Sequence, residues 1–146
     1  MDKTFSAEFL LNIHRELEIK APAAAVFDSI LEQCGPAMAT PDGKSLQMKL
    51  EAWPGGRWFR DTGHNTGHMW GHVQVIKPPT LLELCGPMFM SYPVMSHIQY
   101  RVSEKNGMST LSFTHRAMGE ITAEHREGVQ MGWEMMVNQI KQRAER

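Results

Sequence analysis

Residues 122–146 read TAEHREGVQMGWEMMVNQIKQRAER. Val129, Trp133, Met136, Val137 and Ile140 recur at intervals of three and four, the spacing of one stripe on a helix. Thr122 is placed to cap the first turn through its hydroxyl. Glu124 and Glu127 sit by the positive end of the helix dipole, and Lys141, Arg143 and Arg146 by the negative end. Gly128 and Gly132 each weaken the run by about 1 kcal/mol relative to Ala, and no Pro breaks it. A helix of roughly 23 residues is about 35 Å long, enough to cross a small domain. Almost everything before it reads as strand, so this stretch predicts a sheet wrapped around one long helix.

Immediately upstream, Met108 to Arg116 is a strand with Leu111, Phe113 and His115 on one face. Asn106-Gly107 is a tight-turn signal, and Val94 to Ser103 is its partner strand, with Ile98, Tyr100 and Val102 on one face. That turn pairs positions summing to about 213, which sets His97 opposite Arg116 and His115 opposite Ile98. Further back come short strands at Leu46–Ala52, Arg57–Asp61, His68–Lys77 and Thr80–Cys85. Trp53-Pro54-Gly55-Gly56, a polar tip from Thr62 to Gly67, and Pro78-Pro79 separate them. At the start, Phe9, Leu11, Ile13, Leu17 and Ile19 alternate to one side of a half-buried strand, with Arg15 the exception. Pro22 suits the first turn of a helix whose apolar face is Val26, Phe27, Ile30, Leu31 and Cys34, and Gly35-Pro36 ends it. Met38 to Ser45 is a loop. The expectation is α+β: one domain, 1–146, with a curved antiparallel sheet of about six to seven strands gripping the C-terminal helix.

Fifteen Lys and Arg against 16 Asp and Glu give a formal charge of −1. That balance argues against a nucleic-acid binder, which needs a basic excess to neutralise phosphates. No apolar run is long enough for a membrane span, and Met1-Asp2-Lys3-Thr4 lacks the apolar core of a leader. A reducing, cytoplasmic setting is expected, since Cys34 and Cys85 cannot build a disulfide framework. The outlier is methionine, with 12 residues, suited both to irregular cores and to adaptable apolar surfaces.

Few residues invite chemistry. His68 and His72 are four apart, which on a strand puts both on one face but about 13 Å apart, too far to share a metal. No metal and no cofactor are expected. Arg57 and Arg60 flank Trp58-Phe59, a mix able to hold a carboxylate or stack on a ring, though a strand alternating between faces accounts for it as well. Cys85, ending an apolar strand, reads as an inert buried thiol.

Several stretches together resemble a known family. They are Ala-Pro-Ala-Ala-Ala-Val-Phe (21–27), Trp-Pro-Gly-Gly-Arg-Trp-Phe (53–59), Gly-His-Val-Gln-Val-Ile-Lys-Pro-Pro-Thr-Leu-Leu (71–82), Leu-Ser-Phe-Thr-His (111–115) and Gly-Trp-Glu (132–134). The chain resembles the START-like (SRPBCC) superfamily, on the branch related to the activator of the 90-kDa heat-shock chaperone's ATPase. The resemblance implies the helix-grip fold with a cavity between sheet and long helix, where many members hold lipids, sterols or polyketides. Some members are cyclases or hydrolases. The family brings no universal catalytic motif, so no catalytic residue is carried over. Members often have a Trp just after the first helix, where this chain has Gly-Pro-Ala-Met (35–38).

In that architecture Trp133 and Met136 would form the cavity floor, Leu111, Phe113 and His115 its sheet side, Trp58 a further wall, and Met88 and Met90 a lid. His115 would orient a ligand or act as an acid or base, unless it is a core histidine bonded to its surroundings. The expected function is binding of a small, largely apolar molecule. The alternatives are a polyketide cyclase-like or hydrolase-like enzyme working by acid–base chemistry, and a protein-interaction module with a chaperone partner. The apolar segment Met88-Phe89-Met90-Ser91-Tyr92 would then serve as lid, partner surface or homodimer contact.

Overall fold

The computed structural model describes residues 7–146, so the expectation about Met1–Thr4 lies outside the described residues. Among these residues seven antiparallel strands form one sheet: β1 (Leu10–Ile19), β2 (Met48–Leu50), β3 (Arg57–Gly63), β4 (Thr66–Lys77), β5 (Leu81–Gly86), β6 (Val94–Lys105) and β7 (Met108–Gly119). Their order across the sheet is β1-β7-β6-β5-β4-β3-β2. Helix α1 (Ala23–Cys34) follows β1, and α2 (Ala123–Ala144) follows β7. This is the helix-grip arrangement.

The long hairpin has the predicted register. His97 lies opposite Arg116 and Ile98 opposite His115, with Asn106 and Gly107 both at positive φ in the turn. Several boundaries differ. Phe9 falls in a short 3-10 turn ahead of β1 and is 44% exposed, so the buried alternation begins at Leu11. β2 has only three residues because Gln47 sits in the left-handed region and breaks the extended run at Leu46. The polar tip shrinks to His64-Asn65, both at positive φ, and the strands run on through Gly63 and from Thr66.

Helix α2 buries Val129, Trp133, Val137 and Ile140, while Met136 at the edge of the stripe is half-buried. Thr122 Oγ1 accepts from the His125 amide at 3.1 Å, the cap its position promised. A polar seam joins the helices. Ser29 Oγ donates to Ile140 O at 2.8 Å, and Arg143 donates to Gln33 Oε1 at 3.0 Å. At the other end of α1, Glu104 from β6 accepts the Ala23 amide at 2.6 Å, satisfying one orphan donor of the helix start. Met38 is 2% exposed and fills core space just after α1. No helix among the described residues is long and apolar enough to cross a membrane.

One irregularity corrects the reading of the histidines. Trp58 pairs with Gly71 but Phe59 with Met69, so β4 carries an extra residue at Trp70. A bulge of this kind breaks the period of two. His68 therefore shares the face of Trp70, against which it packs edge-on at 6.4 Å. His72 is exposed on the opposite face, beside Arg57 and Cys85.

The bulge is accommodated by two glycines. A Cβ on Gly86 would lie 2.2 Å from Trp70 O and 2.4 Å from Gly71 Cα. This close approach lets the Met88 amide donate to Trp70 O at 2.8 Å, folding the next loop back over β4. Gly86→Ala should cost about 1–3 kcal/mol through overpacking against backbone that cannot yield. Urea unfolding measures it, and a change under 0.5 kcal/mol would contradict the account.

Candidate functional site

The inner face of the sheet has two unlike halves. Trp133 occupies the first, with its ring 4.4 Å from Phe113, and Phe113 and Leu111 are both fully buried. Its indole N–H donates to His115 Nδ1 at 2.8 Å. That assigns the imidazole proton to Nε2, which donates to Ser96 Oγ at 2.9 Å. His115 is 0% exposed, and burial pushes its pKa down from 6.5 to about 4. Both ring nitrogens are in use, so His115 is the hydrogen-bonded core histidine that stood as the alternative.

The second half is the inner face of β3 and β4. Helix α2 packs against α1 and β1, and α1 against β2, β6 and β7. Over β3–β4 the cover is the loop after β5. Trp58 is buried, donates to Cys34 O at 2.8 Å and meets Trp70 edge-on at 5.2 Å. Met48, Met88 and Met90 complete an apolar wall, each 3% exposed or less. Phe89 lies on Trp70 at 5.9 Å and against His125 at 5.8 Å. Tyr92 stacks on the same imidazole, and its hydroxyl is 2.5 Å from His125 Nδ1. The loop is thus fastened to the first turn of α2 through one histidine.

The residues expected to line a cavity therefore fall into two groups. Leu111, Phe113, His115 and Trp133 come together as a packed, hydrogen-bonded plug. Trp58, Met88 and Met90 belong to the wall under the loop, and Met136 is half-buried on the helix. Met88 and Met90 turn inward, so the apolar surface expected of this segment reduces to Phe89, 38% exposed.

Two atoms in the second half have no hydrogen-bond partner among the described residues: Trp70 Nε1 and Arg60 Nε, both buried. Sequence reasoning passed over Trp70, which stands in a stretch with three histidines (64, 68 and 72), and His125 at the start of α2. The bulge that turns Trp70 inward leaves no mark in the alternation. Arg57, the other arginine of β3, is occupied on the outer face. It pairs with both carboxylate oxygens of Glu51 at 2.8 Å and lies over the Phe59 ring. That side-chain hydrogen bond, with the Arg57 amide, holds Glu51 down to about 2.

Cys85 is half-buried on the outer face, not in the core, and its sulfur contacts Gln74. Its thiol is raised by burial. Beside it is a hollow of about 470 Å³ bordered by Leu10, Met95 and Met118. Cys34, fully buried against Tyr100, is pushed up to about 12 by burial and offers no nucleophile.

The family model described as Activator of Hsp90 ATPase homolog 1-like protein matches residues 20–145, which spans both halves of this face and both helices. The chain belongs to that family. Solved structures agree on the fold of this family member. A putative uncharacterized protein from Rhizobium leguminosarum aligns with a TM-score of 0.71 at 18% identity, covering 93% of this chain and 95% of that one. CalU16 from Micromonospora echinospora gives 0.64 at 19% identity, over 91% of this chain and 75% of that one. The di-domain ARO/CYC StfQ from the steffimycin biosynthetic pathway gives 0.65 at 9% identity, over 94% of this chain and 50% of that one. At such identities the likeness is one of fold, and function has to be argued from the site. No curated protein matches the chain.

The plug makes stability depend on pH with a definite sign. The folded protein holds His115 neutral, whereas the unfolded chain protonates it below about 6.5. Its contribution is therefore complete above that pH and is lost as pH falls toward about 4. Urea unfolding at pH 7 and pH 4 should lose about 2–3 kcal/mol more for wild type than for His115→Gln, which keeps an acceptor and a donor but does not titrate. Parallel losses would rule out this origin.

Proposed function

We propose that this chain, as one helix-grip domain, binds a small, largely apolar molecule between the inner face of β3–β4 and α2, beneath the Met88–Tyr92 loop. The observation that carries this reading is the buried indole N–H of Trp70, which has no acceptor among the described residues in a wall otherwise made of Trp58, Met48, Met88 and Met90. A buried donor left unpaired costs on the order of 1–3 kcal/mol, which a bound oxygen would recover. Methionine walls adjust to the shape of an occupant better than branched side chains do. Leu111, Phe113, His115 and Trp133 serve as the floor on which the site rests, and Met136 borders it from the helix.

The same geometry weighs against the alternatives. A cyclase-like or hydrolase-like reaction finds no acid or base in His115, whose nitrogens are committed to Trp133 and Ser96. Likeness of fold to an ARO/CYC protein supplies no residue for it. A co-chaperone-like role keeps the exposed edge of the sheet as a candidate surface, but its other candidate, the Met88–Tyr92 loop, is reduced where Met88 and Met90 turn inward.

Native mass spectrometry of the freshly purified protein, followed by organic extraction, should find an apolar adduct that leaves on denaturation. A clean mass together with no thermal shift from a panel of fatty acids, sterols and aromatic polyketides would overturn the reading. The loop supplies a kinetic test. Tyr92→Phe keeps the stacking on His125 but removes the hydroxyl, worth about 1 kcal/mol. Ligand association and release, followed by tryptophan fluorescence, should both quicken by about fivefold. Unchanged rates would show that the loop is not the gate.

A further inference from the structure

Resting on that binding reading, the geometry points to Arg60 as the anion handle of the site, so that the preferred occupant is an apolar molecule ending in a carboxylate. Arg60 stands between Met48 on β2 and His68 on β4, two residues along from Trp58. Met48 is 3% exposed and Trp58 1%, so alternation turns Arg60 to the inner face with them. Its Nε is buried and has no acceptor among the described residues. The nearest carboxylate in sequence, Asp61, is turned the other way. It takes Lys49 Nζ at 2.8 Å and the Gly63 amide at 2.9 Å.

Other arginines here have work to do. Arg57 grips Glu51, Arg126 donates to the carbonyls of Leu10 and Glu8, and Arg143 joins α1 to α2. Arg60 alone among the arginines carries a buried nitrogen left unpaired within the described residues. A guanidinium stays charged at any physiological pH. Partly withdrawn from water with no carboxylate paired to it among the described residues, it destabilises the free protein. The planar fork matches the two oxygens of a carboxylate. On the next strand Trp70 offers a neutral N–H, and half-buried His68 lies directly across from Arg60. Two orphan donors on neighbouring strands of one face, beside a wall of Met and Trp, describe a polar end and an apolar length. A fatty acid or an arylalkanoic acid has that form.

Calorimetric titration of the full chain at pH 7.5 with decanoate and with decanol separates the two levels of the argument, since the probes share a tail and differ in the head. Wild type should bind decanoate at least about tenfold more tightly than decanol, the worth of a charged hydrogen bond. Arg60→Met should abolish that preference while leaving decanol affinity within about twofold, and Arg60→Lys should restore part of it. Free Arg60→Met should unfold at the same temperature as wild type or higher, which also verifies that it folds. If decanol binds wild type as tightly as decanoate, or if Arg60→Met keeps the preference, the handle is refuted while apolar binding stands. If neither probe binds wild type, the apolar site fails and the handle with it.

Discussion

A single hydrogen bond from an indole to a buried imidazole sets where the long helix lies. Apolar burial alone would tolerate a helix rotated or shifted along the sheet, because it has no direction. The bond from Trp133 to His115 has one, and moving the helix would leave a donor and an acceptor unpaired in a dry core. Since His115 donates its Nε2 hydrogen bond to Ser96 Oγ, the helix is tied to β7 and, through it, to β6. The Phe113 ring beneath Trp133 closes the remaining space. Everything that depends on the helix position, including the reach of His125 to Tyr92, depends on this pair.

The polar groups of the core divide along the same line. Near the plug and the helix seam they are paired: Ser29 with the Ile140 carbonyl, Ser109 with the Ala21 carbonyl, His115 with Trp133 and Ser96. Toward β3 and β4, Arg60 and Trp70 have donors left over. Proteins break their own packing rules mostly where function requires it, and recover the cost elsewhere. That asymmetry is the ground on which the proposed site is placed at β3–β4.

The fold was legible because its signals are local. Asn106-Gly107 admits one tight turn, and counting outward from it is enough to align His97 with Arg116. The α2 stripe and its Thr122 cap follow from spacing and one hydroxyl. The site was less legible because its determinants are not periodic. The extra residue at Trp70 reverses the facing of His72 relative to His68, and alternation counted from either end misses it. For methionines 88 and 90 the sequence leaves lid and partner surface both open, and only the Gly71–Gly86 contact shows their loop drawn over β4. Arg57 and Arg60 are alike in sequence, and only the positions of Glu51 and Asp61 show that one is satisfied and the other is not.

Helix α2 also comes after every strand it covers. The sheet can begin from its most local part, the β6–β7 hairpin, whose partners are near in sequence. Until residues 123–144 have been made, however, the Phe113 and His115 part of that face lacks the Trp133 ring that covers it, and His115 has no indole. A nascent chain therefore passes through a stage with a large apolar face open to solvent, the kind of species that aggregates or engages general chaperones. In this arrangement, synthesis order makes the gripped helix the step that ends that exposure.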